Sequence, residues 1–327
     1  MSSSNAVVLK PGKMIGSGQF KEVYILADNP HKVILKFKNG AAVFNSIINE
    51  EVLNYRKASA EGIGPKYYGF QPLKEGDPDA YRDRSKLDGE QDFVAEMMVE
   101  HFDMDLNSPR ADEFKSWQLA DEVAQKMELF KEKFELIYCD VKSGNILLKA
   151  DSGEPRIALT DFDPTFMIHI INKPGTRTEN SKHMGRIAPL AFVEQSFETL
   201  SDAERSFVQA WYSLYAKVLM VTHARINDVI FHEFGIQNGQ RFYADLPRFV
   251  ESIDKYLVGD LKKDTVALSN LKEEARALAD LEKSIFTNIT NLRSSLTTTN
   301  TTSTTTSTST TNTTATITKS PKPSVAL

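Results

Sequence analysis

The sequence predicts an α+β protein, because strand-like and helix-like patterns occupy different parts of the chain. Short β-prone runs separated by turns fill the first third, and most segments after about residue 105 have apolar residues at helical spacing. Strands and helices segregated in this way are typical of α+β folds. The chain has 327 residues with 41% hydrophobic content, which is enough to build a sizeable core in one large domain or two lobes.

Five strands and one helix are predicted in the first third. The strands are the runs KMIGSG, KEVYILAD, VILKFK, KYYGFQPL and FVAEMMVE, separated by turn residues or polar segments. The helix runs from Ala41 to about Ala60, between the third and fourth strands, and the stretch GIGP ends it. Its apolar residues recur three or four positions apart: Phe44, Ile47, Ile48, Val52 and Tyr55.

Helices dominate the rest of the chain. A long amphipathic helix is predicted from Ala111 to Phe134, and the short strands NILLKA and RIALT follow around an Asp-Ser-Gly turn. Beyond about Leu200 three more helices are predicted, namely DAERSFVQAWYSLYAKVLM, LPRFVESIDKYL and LKEEARALADLEKSIFTNI. The chain therefore divides into an N-terminal extension at residues 1–12, a strand-rich part at 13–105 and a helical part at 106–295.

The last segment, residues 296–327, consists almost wholly of Thr, Ser and Asn. It cannot bury enough apolar surface to offset an ordering entropy of about 1–2 kcal/mol per residue. We therefore predict that this segment is a disordered tail.

Composition excludes several classes of function and site. The formal net charge of −5 argues against a nucleic-acid-binding protein that depends on a basic surface. Cys139 is the only cysteine, and the six histidines lack metal-ligand spacing, so neither a disulfide framework nor a zinc site is expected. The N-terminus has no signal-peptide pattern, and no run of about 18 apolar residues occurs. These features favour a soluble, cytoplasmic protein without a nucleic-acid or membrane partner.

The turn between the first two strands carries a phosphate-binding pattern. In IGSGQFKEVY, Gly16 and Gly18 allow the backbone to approach a ligand closely, with N–H groups directed at anionic oxygens. Val23, the seventh residue after Gly16, can pack on a flat base. Lys21 stands where a third glycine would complete the pattern G-x-G-x-x-G. The motif therefore predicts a nucleotide-phosphate loop that departs from the usual form at one position.

A lysine and a glutamate are candidates for a buried ion pair. Lys36, in VILKFK, points opposite to Leu35 and Phe37 on a strand whose side chains alternate. A lysine directed inward needs an anionic partner, and a nucleotide phosphate or a helix glutamate would serve. Glu51 on the following helix is preferred because it lies beside the buried stripe, and Glu50 is the alternative.

The stretch YCDVKSGNILL places Asp140, Lys142 and Asn145 just ahead of an apolar run. A carboxylate at Asp140 can orient a substrate hydroxyl and accept its proton, and Lys142 can neutralise a transferring phosphoryl group. Asn145 supplies an oxygen ligand suited to Mg²⁺, and Asp161, sixteen residues further on, supplies a second, anionic one. The joint order and spacing of these residues predicts a phosphoryl-transfer site.

With these motifs the chain resembles the protein-kinase superfamily from about Lys13 to Thr290, most closely over Tyr138–Asp163. The resemblance implies a two-lobed fold, with a β-rich N-lobe and a mainly α-helical C-lobe, that binds ATP and Mg²⁺ and phosphorylates protein substrates. The stretch MMVEHFDMDL resembles the hinge between the lobes, where backbone groups of Glu100 and His101 would contact adenine. The resemblance assigns ATP binding to Gly16, Gly18, Val23, Lys36, Glu51, Glu100 and His101, catalysis to Asp140 and Lys142, and metal binding to Asn145 and Asp161.

Three positions depart from the family pattern. Tyr138 and Cys139 replace the usual His-Arg. Because that arginine commonly holds a phosphate on the activation loop, we predict activity that does not require activation-loop phosphorylation, for which Thr176, Thr178 and Ser181 are the candidate positions. Asp163 replaces the glycine of Asp-Phe-Gly, and it either locks the segment in one state or adds a carboxylate near the metal. No Ala-Pro-Glu motif occurs, because Leu190 follows Ala-Pro in IAPLAFVE.

Three functions are compatible with these residues. An active serine/threonine protein kinase is favoured, because Lys36, Asp140 and Asp161 are all present and Lys142 is the form typical of that class. The first alternative is a pseudokinase that acts as a nucleotide-binding or scaffold module, which the departures from the family pattern support. The second is a small-molecule kinase of the choline or aminoglycoside type, and Lys142 argues against it because those enzymes usually lack a lysine there.

Overall fold

The computed structural model describes residues 9–18, 21–38, 43–72, 93–150, 153–164, 167–169, 201–238 and 241–302. Contacts divide the chain into a unit that ends at Ile285 and a second unit that begins at Phe286. In the first unit a five-stranded antiparallel sheet precedes a mainly helical part. The predicted α+β class is therefore confirmed.

The sheet is built from the five predicted strands. They are β1 (Pro11–Ser17), β2 (Lys21–Leu26), β3 (Asn29–Lys38), β4 (Tyr67–Pro72) and β5 (Phe93–Glu100), in the spatial order β1-β2-β3-β5-β4. Helix α1 (Val43–Ala60) connects β3 to β4. It ends as predicted at the GIGP stretch, where Gly62 has φ 67° in the left-handed region. The predicted polar loop between β4 and β5 lies outside the described residues.

The register of β2, β3 and β5 decides which side chains share a face of the sheet. Lys21 is paired with Phe37, and Glu22 is paired with Lys36. Lys36 is paired in turn with Glu96 of β5. Cross-strand partners share a face, and neighbours along a strand alternate between faces. Lys21 and Lys36 therefore lie on opposite faces of the sheet.

The helical part begins with short elements around one long helix. After β6 (Met104–Asp105) and a 3₁₀ turn at Pro109–Glu113 comes α2 (Trp117–Phe134). The helix starts later than the predicted residue, Ala111, because Ser116 caps it and accepts the N–H of Leu119 at 3.2 Å. Four short strands follow, two of which (β8 and β9) were predicted: β7 (Leu136–Tyr138), β8 (Ile146–Lys149), β9 (Arg156–Leu159) and β10 (Met167–His169).

The C-terminal half of the helical part is built around α3. A capping box of Ser201 and Glu204 begins this helix, and its aromatic residues Trp211, Tyr212 and Tyr215 are fully buried. The elements are α3 (Asp202–Val221), α4 (Ile226–Phe234), β11 (Gly235–Asn238), β12 (Arg241–Ala244), α5 (Leu246–Glu251) and α6 (Thr265–Thr302). No helix within the described ranges is long and apolar enough to cross a membrane.

Two predicted boundaries in this half are corrected. The predicted helix LPRFVESIDKYL is broken, because α5 ends at Glu251 and a 3₁₀ turn at Ile253–Lys255 follows. Helix α6 includes residues 296–302, which the sequence had assigned to the disordered tail. Once a helix has formed, each added residue gains one hydrogen bond, so α6 extends past its last apolar positions. Residues 303–327 lie outside the part of the chain that is described.

The side chain of Glu282 on α6 makes stability depend on pH. Burial raises the pKa of Glu282 to about 7, and the nearby charge of Asp245 adds to the shift. The folded state therefore holds this proton at a pH where the unfolded chain has lost it, and stability falls as pH rises from about 5 to 8. Glu282→Gln cannot ionise and so lacks this pH dependence. Over that pH range we expect the free energy of unfolding of wild type to fall by about 1–2 kcal/mol more than that of the variant, a value reduced because Glu282 is partly exposed.

Urea unfolding of both proteins at pH 5, 6.5 and 8 measures this difference. Glu273→Gln, at an exposed position on the same helix, controls for the loss of one negative charge. Wild-type and Glu282→Gln stabilities that change in parallel with pH would contradict the prediction.

Candidate active site

The predicted catalytic stretch forms a compact loop between β7 and β8. The carboxylate of Asp140 accepts hydrogen bonds from Lys142 Nζ at 2.8 Å and from Asn145 Nδ2 at 2.7 Å. Asn145 Nδ2 also donates to the main-chain carbonyl of Asp140 at 2.9 Å. These three residues, predicted from the spacing D-x-K-x-x-N, are therefore held together around one carboxylate.

The loop is supported from the helical part. Ser143 is buried, and its hydroxyl accepts a hydrogen bond from Asn227 Nδ2 of α4 at 2.9 Å. The hydroxyl of Tyr215 on α3 donates to Asn227 Oδ1 at 2.6 Å. The carbonyl of Ser143 accepts the N–H of Leu106 at 3.0 Å. This chain of buried hydrogen bonds fixes the loop against two helices.

Asp161 follows β9 in an uncommon backbone conformation. Its φ is 62°, in the left-handed region that costs an L-residue about 1–2 kcal/mol. Among the described non-glycine residues, Glu135 also has a positive φ, and that residue caps the C-terminus of α2. Asp161 has no helix end to explain its conformation, so contacts of the site must hold it.

Lys21 connects this aspartate to α1. Its ammonium group contacts the carboxylates of both Glu51 and Asp161. The side chain of Glu51 is 4% exposed and Glu50 is exposed, so of the two helix glutamates it is Glu51 that meets a lysine, and that lysine is Lys21. A lysine, a helix glutamate and the predicted metal-binding aspartate therefore meet at one point.

The predicted pair of Lys36 with Glu51 is wrong. Lys36 Nζ lies 3.3 Å from a carboxylate oxygen of Glu96, and both side chains are 3% exposed. The reason is the strand register, which places Phe37 and not Lys36 on the face that Lys21 shares. Lys36 was correctly predicted to be buried and to need an anionic partner, but it finds that partner on the neighbouring strand.

Charges in the site shift the pKa values of its groups. Burial alone would lower the pKa of Lys21, but the charges of Asp161 and Glu51 raise it well above its ordinary value. Burial raises the pKa of Glu51 to about 7, and the charge of Lys21 opposes that shift. Burial would raise the pKa of Asp161 as well, but the charge and hydrogen bond of Lys21 keep it below its ordinary value. Asp161 therefore remains ionised next to a protonated lysine.

Asp140 shows the opposite shift. Burial raises its pKa, the charge of Asp161 adds to the increase, and Lys142 opposes it. Of two aspartates in one site, Asp161 is thus the weaker base and Asp140 the stronger. This difference separates a carboxylate suited to binding a cation from one suited to accepting a proton.

The glycine motif forms the predicted turn between β1 and β2. Gly16 is paired with Val23 across the two strands. The N–H of Gly18 donates to the carbonyl of Lys21 at 2.8 Å, so it is already engaged, and Lys38 Nζ donates to the carbonyl of Gly18 at 2.8 Å. Residues 19–20 at the tip lie outside the described residues.

Two backbone N–H groups predicted to contact adenine already donate hydrogen bonds within the protein. The N–H of Glu100 donates to the carbonyl of Lys66 at 2.8 Å, and the N–H of His101 donates to that of His31 at 2.9 Å. These two N–H groups are therefore not available to adenine. The next N–H, that of Phe102, has no partner among the described residues.

Asn145 and Asp161, the predicted metal ligands, each offer an oxygen that could bind Mg²⁺. Asn145 donates both of its amide hydrogen bonds to Asp140, which leaves its Oδ1 without a donor in the described part of the chain. A carbonyl oxygen and the ionised carboxylate of Asp161 are hard-oxygen donors of the kind that Mg²⁺ prefers. No group of three or more His, Cys, Asp or Glu side chains suited to a metal occurs among the described residues. The donor atoms of the two residues are therefore of the kind that Mg²⁺ takes, and the Mg²⁺ site stays a prediction.

Phe162, next to Asp161, is packed in an aromatic cluster. Its ring centroid lies 4.9 Å from that of Tyr55, 5.8 Å from Phe130 and 6.0 Å from Tyr138. A Cβ on Gly64 would lie only 2.8 Å from the ring, so glycine is required there. Phe162 is fully buried, and this packing fixes the segment that carries Asp161.

Cys139 and Asp163, two of the unusual positions, are both buried. Asp163 lies near enough to Glu51 for its charge to raise the pKa of that glutamate. Both interpretations of Asp163, as a lock or as a further carboxylate near the metal, stay predictions. Thr176, Thr178 and Ser181, the candidate activation-loop positions, and the Ala188-Pro189 stretch lie outside the described residues.

Two residues of the site were missed by sequence reasoning. Lys21 was noted only as a departure from the glycine pattern, although its position directly after the glycine turn, at the start of β2, was a signal. Tyr55 was assigned to the buried stripe of α1, and its position four residues after Glu51 predicts that both face the same side.

The chain matches no known protein-family model and no curated protein.

Proposed function

We propose that the chain is an ATP-dependent protein serine/threonine kinase with a two-lobed protein-kinase fold. The observation that carries the proposal is the convergence of two clusters of charged residues. Lys21 brings Glu51 and Asp161 together, and Asp140 with Lys142 forms the second cluster. Lys142 Nζ lies 3.7 Å from the carboxylate of Asp161 and joins the two. Phosphoryl transfer needs such a set of positioned charges and little covalent chemistry.

In this proposal Lys21, and not Lys36 as predicted from the sequence, is the lysine that binds a nucleotide phosphate and pairs with a helix glutamate. Its side chain is 14% exposed, and its ammonium group can reach a phosphate placed over Asp161. Glu51 holds the lysine in that position, as a helix glutamate should. Lys36 lies on the other face of the sheet and serves stability through Glu96.

In the proposed reaction a serine or threonine hydroxyl of the substrate attacks the γ-phosphorus of ATP. Asp140 accepts the hydroxyl proton, and its raised pKa makes it the better base of the two aspartates. A P–O bond forms to the substrate oxygen, and the P–O bond to the β-phosphate breaks to release ADP. Lys142 places a positive charge beside Asp140, where it would stabilise the negative charge that develops on the transferred phosphoryl group.

Asp161 and Asn145 would hold Mg²⁺. When bound, Mg²⁺ supplies positive charge that neutralises the phosphates. Asp161 contributes an ionised carboxylate, and Asn145 contributes the Oδ1 that no donor in the described residues engages. Lys21 neutralises Asp161 in the protein alone, and with Mg²⁺ bound its ammonium group would contact a phosphate.

Adenine would lie between β2 and the segment after β5. Val23 is two residues from Lys21 on the same strand and therefore shares its face of the sheet. The N–H of Phe102 is the candidate donor to the base, in place of the engaged N–H groups of Glu100 and His101. This assignment shifts the predicted hinge contact by one residue.

The proposed kinase does not require a phosphorylated activation loop. Cys139 stands where the phosphate-holding arginine would be, and it is uncharged and buried. Burial raises the pKa of this thiol well above its ordinary value, so no charge appears there at neutral pH. We expect the Thr176→Ala, Thr178→Ala, Ser181→Ala triple variant to retain the wild-type rate of phosphotransfer. A loss of all activity in that variant would contradict this prediction.

The substrate class is tested by identifying the phosphorylated product. Purified protein is incubated with labelled ATP and Mg²⁺, together with a generic basic protein, choline or an aminoglycoside in separate reactions. The proposal predicts acid-stable label on serine and threonine of the protein substrate. Label on choline or the aminoglycoside, and none on protein, would instead support the small-molecule kinase.

A further inference from the structure

Two tyrosine hydroxyls hold the peptide group in front of Asp161. The hydroxyl of Tyr55, on α1, accepts the N–H of Asp161 at 2.9 Å and is hydrogen-bonded to Thr160 Oγ1 at 2.8 Å. The hydroxyl of Tyr138, at the end of β7, donates to the carbonyl of Thr160 at 2.5 Å. Both tyrosines are 1% exposed. The two hydroxyls therefore hydrogen-bond the carbonyl and the N–H of the Thr160–Asp161 peptide group.

The neighbouring peptide group, between Leu159 and Thr160, is tied to the Asp140–Asn145 loop. The N–H of Thr160 donates to the carbonyl of Asn145 at 3.0 Å. Asn145 and Asp161 are the two proposed metal ligands, so this bond links the backbones that carry them. Together with the two tyrosines it satisfies every polar backbone atom from the N–H of Thr160 to the N–H of Asp161.

The hydroxyls are fixed because their rings are fixed. Tyr55 packs edge-on against Phe162 with an interplanar angle of 83°, and Tyr138 packs against Phe130 and Phe162 at 5.7 Å and 6.0 Å between centroids. Burial raises the pKa of Tyr55 to about 12, so its hydroxyl stays protonated at neutral pH. A phenylalanine would keep this packing and remove only the hydroxyl.

We propose that the hydroxyls of Tyr55 and Tyr138 are positioning groups that hold Asp161 in its left-handed conformation and so aim its carboxylate at a metal–nucleotide. The inference rests on the proposed function and adds two residues to it. Neither tyrosine touches substrate in this account: both act through the Thr160–Asp161 peptide, and Tyr138 is also hydrogen-bonded to the Asn145 side chain. Without the hydroxyls, Asp161 relaxes towards negative φ, and its carboxylate leaves its place beside Lys21 and Lys142.

The opposing explanation is that both hydroxyls serve only the stability of a buried aromatic core. The two explanations differ in what happens to metal affinity. Loss of a stabilising hydrogen bond lowers the unfolding temperature and leaves the metal site of the folded molecules unchanged. Loss of a positioning group weakens metal binding in molecules that remain folded.

The test uses Tyr55→Phe, Tyr138→Phe and the double variant in the full chain. Tyr256→Phe is the control, because its hydroxyl donates to Glu233 at 2.8 Å on the exposed side of the helical part. Thermal unfolding first identifies the temperature range in which each variant is folded. Titration with Mn²⁺ in the presence of a non-hydrolysable ATP analogue, followed by electron paramagnetic resonance, then gives the metal dissociation constant. Steady-state phosphotransfer at saturating Mg²⁺ separates kcat from KM for the protein substrate.

We expect the dissociation constant for Mn²⁺ to rise about 10-fold in each single variant and further in the double variant, the range usual for groups that support a metal ligand. We expect kcat to fall, KM for the protein substrate to stay constant, and Tyr256→Phe to match wild type. Folded variants with wild-type Mn²⁺ affinity would overturn the positioning role and leave the proposed function intact. Wild type that binds no metal–nucleotide would overturn the proposed function and this inference with it. Failure of both single variants to fold would assign the hydroxyls to stability and overturn their positioning role.

Discussion

The Lys21→Met variant is expected to lose phosphotransfer by about 100–1,000-fold, the usual cost of removing one positioned donor from a site of charge stabilisation. The reason is that Lys21 is the cation that meets both Glu51 and Asp161. Methionine keeps the length of the side chain and removes its charge. Initial rates with labelled ATP, at saturating ATP and Mg²⁺, measure the loss. The far-UV spectrum and unfolding temperature of the variant establish that it is folded.

The matched control is Lys36, on the opposite face of the sheet. Lys36→Met leaves the buried carboxylate of Glu96 without its cation, so we expect a loss of about 3–5 kcal/mol in stability. The paired variant Lys36→Met, Glu96→Met replaces both charges with apolar groups and should recover most of that loss. Its rate of phosphotransfer should stay close to wild type. A folded paired variant without transfer, together with an active Lys21→Met protein, would restore Lys36 as the phosphate-binding lysine.

Substitution of the two aspartates should separate proton transfer from metal binding. We expect Asp140→Asn to lower kcat by about 10²–10⁴-fold, the usual contribution of a general base, and to leave binding of Mg²⁺–ATP unchanged. We expect Asp161→Asn to weaken Mg²⁺-dependent nucleotide binding, because it removes the anionic metal ligand. Each variant serves as the control for the other.

Initial rates and Mg²⁺-dependent thermal shifts with ATP measure the two effects. An Asp140→Asn protein that transfers phosphate at the wild-type rate would refute the role of Asp140. An Asp161→Asn protein that keeps its Mg²⁺-dependent shift would refute the metal assignment. Because the charge of Asp161 raises the pKa of Asp140, each role is judged from its own measurement: the transfer rate for Asp140 and the Mg²⁺-dependent shift for Asp161.

Much of the fold followed from local sequence pattern. The five strands and α1 were predicted from apolar runs and turn residues, because these signals lie within each element. The start of α2 was misplaced because apolar spacing continues through Pro109–Glu113, and only the cap at Ser116 marks where the helix begins. The extension of α6 into the Thr-rich segment was missed because composition describes a segment alone and not one that continues an existing helix.

The Asp140–Asn145 loop was predicted more completely than the rest of the site. Asp140, Lys142 and Asn145 lie within six residues, so their spacing alone places them together. The pairing of Glu51 could not be decided in this way, because its partner depends on the register between β2 and β3. A register shift of one residue exchanges the faces of Lys36 and Phe37, and nothing within either strand reveals it.

The conformation of Asp161 also lay beyond local sequence reasoning. The N–H of Asp161 donates to the hydroxyl of Tyr55 on α1, 106 residues away along the chain, and the carbonyl of Thr160 accepts the hydroxyl of Tyr138, 22 residues away. Long-range hydrogen bonds of this kind leave no periodic signal. Tyr138 was visible as a departure from the family pattern, but its partner, the carbonyl of Thr160, appears only in the folded chain.

Transfer of the γ-phosphoryl group of labelled ATP by wild-type protein, with Asp140→Asn alongside, tests the central claim most directly. The account predicts Mg²⁺-dependent label on serine and threonine with wild type, and its loss in the variant. Nucleotide binding without transfer by either protein would contradict the kinase and identify a binding module. Neither binding nor transfer would contradict the whole assignment of the site.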